Sequence, residues 1–376
     1  MKIALFGGSF DPVHKEHVRL VKAAIGLLGL DRVVVMPTKI APHKRCGAHV
    51  DGDLRLKMCQ IAFRDIPQVE VSDFELSQEG TSFSYLTCRA FAQRYPDAER
   101  YFLVGADMLE DFFTWKNPDD IVKNVTIAAC CRGNEEVRKF ERRFSAEFGK
   151  SFAAFNFTGE DVSSTQIRVE LAFEKRPLML DEEVYRFIKE RRLYEYSCIP
   201  PALALETAER REHTFRVAQM ACARAHSLKI AEEKALLAAA LYDCAKYVPL
   251  DSPLLNGFEA PQDVPPPVMH QFSGAYLAEH VFGIEDREIL DAIKFHTSGK
   301  TGMSNLEKLI FLADLLESGR VFPDVDLLRE AFWRNLDECL YLSLKHQVDY
   351  LNGTGKAIFP LTEQAYAWIC RIKQGN

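Results

Sequence analysis

Three things are missing from this sequence of 376 residues: a Cys-x-x-Cys pair, an apolar run of membrane-spanning length, and an excess of basic charge. The ten cysteines are scattered. In a chain of this length that excludes a small disulfide scaffold, and the thiols read as reduced, many of them as core fillers. Crossing a bilayer takes about 20 consecutive apolar residues, and no such run is present. Residues 2–6 read as a strand leading straight into a polar turn rather than as a secretory leader, so no membrane partner and a cytoplasmic location are expected. Net charge is −7, made of −1 through residue 196 (29 Lys/Arg against 30 Asp/Glu) and −6 beyond it (18 against 24). Neither half therefore reads as a nucleic-acid binder, which would be basic. Internal repeats and low-complexity segments are also lacking.

Hydrophobic content of 47% and charged content of 27% are those of a globular protein with real cores. The length predicts two domains. Short apolar runs at Ile3–Phe6, Arg32–Pro37, Gln68–Val71, Tyr101–Gly105 and Val125–Ala129 alternate with helical patterns such as Leu54–Phe63 and Tyr85–Gln93. This alternation predicts an α/β fold, a doubly wound parallel sheet over residues 1–196. A terminal helix is expected from Asp181 to Tyr194, with a boundary at Ser197–Pro201. From about Ala202 only helical periodicity remains: Thr214–Ala225, Ala231–Tyr242, Gly274–Val281, Ile289–Phe295, Leu306–Leu316 and Leu328–Leu344, with a Pro-rich loop from Pro249 to Pro267. Residues 203–376 should be an all-α domain.

The most informative stretch is Gly7-Gly8-Ser9-Phe10-Asp11-Pro12-Val13-His14, closed by His17. A strand, a tight turn and a helix are implied. Glycine lets backbone approach a ligand, and the helix start offers unpaired N–H groups that favour phosphate. His14 and His17, three apart, share one face of the first helical turn. Loops after Gly7, Pro37 and Gly105 all follow strands and converge on one end of such a sheet. The loop Pro42-His43-Lys44 offers cations to phosphate, though a solvated basic loop looks the same in isolation. Asp107 suits a ribose or base, and Trp115 either stacks on a planar ring or fills the core. In Ser163-Ser164-Thr165-Gln166-Ile167-Arg168 the hydroxyls cap a helix start and the guanidinium, one turn in, is suited to a phosphate fork.

Together these residues resemble bacterial nicotinate-nucleotide adenylyltransferases over essentially all of residues 1–196, with Thr81–Thr87 as a further matching piece. The resemblance implies a Rossmann-like nucleotidylyltransferase making deamido-NAD and pyrophosphate from nicotinate mononucleotide and ATP, with Mg²⁺ accompanying ATP. It further implies that Gly7, Gly8, Ser9, Phe10, His14, His17, Gly105, Asp107, Ser164, Thr165 and Arg168 hold ATP. Lys44, Ser84, Thr87 and Trp115 would meet the mononucleotide, and His14, His17, Lys44 and Arg168 would form the catalytic set. Phe83 stands where the family commonly has Tyr. Related transferases use pantetheine phosphate, nicotinamide mononucleotide or cytidylyl donors with similar Gly and His elements.

In the helical half, His213, Asp243, His270, His296 and Asp314 are spaced so that bundle helices can bring them to a shared metal centre. Their local contexts resemble the HD-superfamily phosphohydrolases, in the bacterial branch that cleaves diadenosine tetraphosphate into two ADP, over about residues 205–370. The resemblance implies iron or a similar transition metal (manganese, cobalt), with Lys246 and Arg320 contacting phosphate. The chain departs from the pattern at the dipeptide that names the superfamily, which is Tyr242-Asp243 here. A phenol ligates poorly until it loses a proton of pKa about 10, so a weakened or incomplete centre is expected: reduced activity, a one-metal site, or an inactive regulatory or scaffolding domain. Self-association is left open.

Overall fold

The structure, a computed structural model, describes residues 1–39, 50–78, 83–131 and 134–375. Lys44 and its neighbours Pro42 and His43, together with Thr81, lie outside the described residues. The chain divides into two compact units, one of residues 1–168 and 176–194, the other of residues 169–175 and 195–376.

The first unit runs β1 (Lys2–Gly8), α1 (Lys15–Leu28), β2 (Arg32–Pro37), α2 (Gly52–Phe63), β3 (Val69–Val71), α3 (Ser84–Arg94), β4 (Glu99–Val104), α4 (Ala106–Asp111), α5 (Pro118–Asn124), β5 (Thr126–Cys131), α6 (Asn134–Phe148), β6 (Ala153–Asn156), the start of α7 (Ser164–Ala172) and α8 (Glu182–Glu190). All six strands are parallel in the order β3-β2-β1-β4-β5-β6. Sequential strands step outward from β1 on one side, and β4 returns to its other side. The order thus reverses between β1 and β4, and a crevice opens at their carboxyl ends. The central strands carry buried apolar runs, residues 3–6, 33–36 and 101–104, as strands covered on both faces do. One core layer joins Ile3, Leu5, Val34, Phe102, Val104, Phe112 and Ile127.

Strand β6 was not expected from the sequence. Its residues, Ala-Ala-Phe-Asn, carry no β-branched side chain, and the segment is a strand through its pairing with β5, Ala128 facing Ala153 and Cys130 facing Phe155. Helix α8 stops at Glu190, earlier than the Tyr194 expected, because Arg192 and Tyr194 adopt left-handed backbone (φ 54° and 61°).

The second unit is helical: α9 (Ile199–Leu203), α10 (Ala208–Ala225), α11 (Glu232–Leu241), α12 (Pro266–His280), α13 (Arg287–Lys294), α14 (Asn305–Leu316), α15 (Val325–Arg334), α16 (Leu336–Gly353) and α17 (Pro360–Gly375). Two expectations are corrected here. The prolines taken as a break, Pro200 and Pro201, lie in the first turn of α9, where a missing N–H costs nothing. The single helix expected over Leu328–Leu344 is two, interrupted at Asn335 (φ −151°, ψ 114°), whose side chain accepts from the Asp337 and Glu338 amides. Leu241, Leu309, Ile310, Leu312, Phe332 and Leu340 are at the centre of this unit's core.

Candidate functional site

At the crevice of the sheet, β1 ends in Gly7 and Gly8. A Cβ on Gly8 would come within 3.1 Å of the Phe10 ring, so a side chain there would displace it. Phe10 itself is buried with φ 47°, a left-handed conformation that costs energy for a bulky residue. Its ring is packed edge-on against Phe6 and His17, at 5.3 and 5.1 Å between centroids. A cis peptide joins Asp11 to Pro12. His14 then caps α1 in extended backbone, its amide donating to His17 Nδ1 (3.1 Å), and the two imidazoles lie 3.8 Å apart. Burial pushes the His14 imidazole down to a pKa of about 4. A neutral imidazole buried at a helix start stands beside N–H groups that favour a phosphate.

The start of α7 meets this turn. Ser164 Oγ donates to the Pro12 carbonyl (3.0 Å), Arg168 donates to the Asp11 carbonyl, and its other arm donates to Thr165 Oγ1 (2.8 Å). Two signals about 150 residues apart in sequence therefore form one cradle, with Arg168 buried in it. Two residues that carry no motif support it. Arg55, from α2 and 1% exposed, donates to the Ser9 carbonyl (2.6 Å) and to the Val50 carbonyl (2.9 Å). Tyr194 donates to Asp11 Oδ1 (2.6 Å). Only the charge of Arg55 and the aromaticity of Tyr194 could have flagged them.

Gly105 precedes α4 at the end of β4, on the other lip of the crevice. Asp107 is in α4; its side chain lies outside what the structure describes. Trp115 is buried against Phe102 and Phe112, at 6.0 and 5.3 Å. Ser84 opens α3, and Thr87, one turn later, is buried and donates to Glu75 Oε1 (2.6 Å). Lys116 Nζ sits 4.1 Å from the centre of the Phe83 ring, the position where a Tyr hydroxyl is absent.

In the second unit, α10 supplies His213, the turn after α11 supplies Tyr242 and Asp243, α12 supplies His270, the residue just beyond α13 is His296, and α14 supplies Asp314. All five expected ligands come together as two groups that share Asp243: Asp243–His270–His296 and His213–Asp243–Asp314. In the first, His270 Nε2 lies 3.1 Å from Asp243 Oδ1 and 3.1 Å from His296 Nε2, and His296 Nε2 lies 3.6 Å from Asp243 Oδ1. Such edges suit a cation with ligand bonds of about 2.0–2.1 Å. His296 Nδ1 is 2.7 Å from the Ile293 carbonyl, which fixes the ring with Nε2 aimed inward. Burial lowers the His270 pKa and keeps that imidazole neutral, the ligating form. Asp243 Oδ1 is buried and faces the two imidazole nitrogens, while Oδ2 takes Arg210 at 3.0 Å. These residues fit a divalent metal.

Tyr242 is fully buried. Burial first, then the charges of Asp314 and Asp243, push its phenol far above its ordinary pKa, so it stays protonated and donates to Asp314 Oδ1 (3.2 Å). Arg320 Nη2 lies 3.1 Å from the same oxygen and 3.3 Å from His213 Nε2. Lys246 Nζ lies 3.0 Å from His270 Nε2. Glu317 and Arg210, which have no part in any motif, buttress the centre: Glu317 pairs with His213 Nδ1 (3.0 Å) and Arg216 (2.5 Å).

Comparison with known proteins follows the same division. The family profile described as Cytidylyltransferase-like matches residues 5–170, and the HD domain profile matches residues 210–319. A Mycoplasma genitalium protein named "Probable nicotinate-nucleotide adenylyltransferase/Ap4A hydrolase" is 28% identical over 355 residues, 92% of this chain and 97% of that protein. A Listeria monocytogenes "Probable nicotinate-nucleotide adenylyltransferase" is 33% identical over 193 residues, 51% of this chain and 97% of its own length. A solved Clostridium acetobutylicum structure, described as a predicted HD superfamily hydrolase involved in NAD metabolism, is 32% identical and covers 47% of this chain and 97% of its own, with a TM-score of 0.44. The chain belongs to the nicotinate-nucleotide adenylyltransferase family, in the form that continues into an HD domain.

Proposed function

We propose that residues 1–196 transfer the adenylyl group of ATP to nicotinate mononucleotide, giving deamido-NAD and pyrophosphate, and that residues 203–376 form an HD-type domain that takes a dinucleotide polyphosphate such as diadenosine tetraphosphate. The observation that carries the first reading is the cradle at the sheet's switch point, where the Gly7–His17 turn and the Ser164–Arg168 helix start meet beside the buried His14.

The chemistry needs alignment and charge neutralisation rather than a protein nucleophile. An oxygen of the mononucleotide phosphate forms a bond to the α-phosphorus of ATP as the bond from that phosphorus to the bridging oxygen of the β-phosphate breaks. Pyrophosphate leaves in line. His14 and His17 neutralise charge growing on the bridging and α oxygens, while Ser164, Thr165 and Arg168 hold the β/γ end. Gly7, Gly8, Ser9 and Phe10 let the backbone approach the nucleotide, and Gly105 and Asp107 meet its ribose or base. Lys44 contributes a further cation. Ser84, Thr87 and Trp115 bound the mononucleotide side, with the nicotinate ring on Trp115. Negative charge on the triphosphate is further offset by the Mg²⁺ that accompanies ATP.

In the HD-type domain, Asp243, His270, His296, His213 and Asp314 are the residues to hold iron, manganese or cobalt, and Lys246 and Arg320 receive phosphate. A metal bound by such donors supplies Lewis acidity and lowers the pKa of water. A second reading, a regulatory or scaffolding domain without turnover, is favoured by one observation: the phenol of Tyr242 stays protonated and donates to Asp314 instead of ligating. The protein is proposed to act in the cytoplasm; among the described residues no helix is long and apolar enough to cross a membrane.

Pyrophosphate release from ATP, measured with nicotinate and nicotinamide mononucleotides in turn, tests the front half. Transfer favouring the acid by at least tenfold in kcat/KM is expected, with His14→Ala losing about 10²–10³-fold. Preference for the amide would replace the substrate. In the same preparations, ADP release from diadenosine tetraphosphate with Fe²⁺, Mn²⁺ or Co²⁺ is expected to be weak and to rise in Tyr242→His; failure of both proteins to release ADP would favour the scaffold.

A further inference from the structure

We infer that the helical unit holds one divalent cation per chain, on Asp243, His270 and His296, and that its His213–Asp314 half is closed to a second cation by the protein's own donors. The inference rests on the reading of this unit as a metal-binding HD-type domain, and it concerns how its ligands are divided.

The two halves share Asp243 yet differ in how far they are satisfied. On one side, Asp314 Oδ1 already has three partners: His213 Nε2 at 2.8 Å, Arg320 Nη2 at 3.1 Å and the Tyr242 hydroxyl at 3.2 Å. A cation reaching this carboxylate would have to compete with Arg320 and Tyr242 for it. The donors are also fixed in place. Tyr242 is fully buried, its ring edge-on to His296 at 4.8 Å, so the hydroxyl has nowhere to turn. Arg320 is tied by Nε to the Asp314 carbonyl at 3.0 Å, and a guanidinium carries its positive charge at every relevant pH. A cation entering this half would have to displace Arg320 against charge repulsion and would meet the Tyr242 ring and hydroxyl beside Asp314 in place of a nitrogen donor.

On the other side, Asp243 Oδ1 is buried with two imidazole Nε2 atoms 3.1 and 3.6 Å from it. One carboxylate oxygen and two ring nitrogens converging on one point make a donor set that suits a divalent cation. Lys246 Nζ comes within 3.8 Å of that oxygen on a flexible four-carbon stem, whereas Arg320, at similar exposure, is anchored by its Nε to backbone. Gln271 steadies the loop after His296, accepting from the Thr297 and Ser298 amides at 3.2 and 3.1 Å, so this donor set is built on fixed backbone.

The test is cation stoichiometry on the full chain, stripped with chelator, reloaded with Mn²⁺, desalted and measured by elemental analysis, with Mn²⁺ electron paramagnetic resonance as a second readout. One equivalent per chain is expected, with the signal of an isolated ion. His213→Gln should keep that equivalent, and His270→Gln should lose it while retaining the parent's melting profile. Tyr242→His should bind two, with the broadened signal of a coupled pair. Two equivalents in the unaltered chain, or retention in His270→Gln with loss in His213→Gln, would overturn the single-site assignment and leave the metal-binding reading intact. No bound cation in the unaltered chain and in Tyr242→His would overturn both.

Discussion

His14 shows how one buried nitrogen sets a pH dependence. Its imidazole is neutral in the free protein because burial holds its pKa at about 4, against 6.5 for an unfolded chain. Below pH 6.5 the unfolded chain takes up a proton that the folded chain refuses. His14 therefore lowers stability as pH falls from 6.5 to 4, by roughly 3 kcal/mol at most, and changes nothing further below that. Triphosphate reverses the preference, because negative charge beside the ring favours its protonated form. Calorimetry of ATP binding at pH 6 in buffers of different ionisation heat should show proton uptake, and His14→Gln should show less by up to one proton. Equal uptake by the two proteins would remove His14 from the phosphate site. Sequence alone made His14, His17, Ser164 and Arg168 visible because they stand in dense motifs. Arg55, Tyr194, Arg210 and Glu317 were not visible, because each acts through a carbonyl or carboxylate that only the fold brings near.

At the scale of elements, legibility depended on whether local pattern and tertiary demand agree. β1, β2 and β4 each carry a buried apolar run after a charged start, and burial on both faces is what such runs encode. β6 has no such signal and exists by pairing with β5. The division between α15 and α16 was hidden for the opposite reason. Leu328, Phe332, Leu336, Leu340 and Leu344 keep a four-residue spacing through the break and all are buried, so the apolar pattern passes through a point where the backbone does not. Asn335 marks that point: extended itself, it accepts from the second and third amides of α16. Asn335→Ala should remove the cap and cost about 1 kcal/mol, read as a lower denaturant midpoint with the slope unchanged, whereas Asn335→Asp should cost little. Equal loss in the two variants would mean that the interruption is held by packing and not by the cap.

On the scale of the whole molecule, the cysteines report on both cores at once. The sequence has ten, without the spacing of a metal ribbon or a redox pair. Eight cysteines whose side chains are described are in no disulfide. Cys88 belongs to the sheet's core, and Cys222, Cys244 and Cys339 belong to the helical one. With Cys59 and Cys130 they are buried, and burial lifts the thiols of Cys59, Cys88 and Cys244 far above their ordinary pKa. Only thiolate reacts readily, so all six are shielded by access, and Cys59, Cys88 and Cys244 by protonation as well. Ellman's reagent in native buffer should leave all six unreacted over minutes, while in guanidinium ten thiols should titrate without added reductant. Because reaction then waits on opening of each core, Mn²⁺ should slow modification of Cys244, the neighbour of Asp243, and leave Cys88 unaffected. An ATP analogue should do the reverse. Rapid native reaction at Cys244 that Mn²⁺ does not slow would mean that the helical core opens without breaking the ligand set, and the cation would then contribute nothing to holding that unit together.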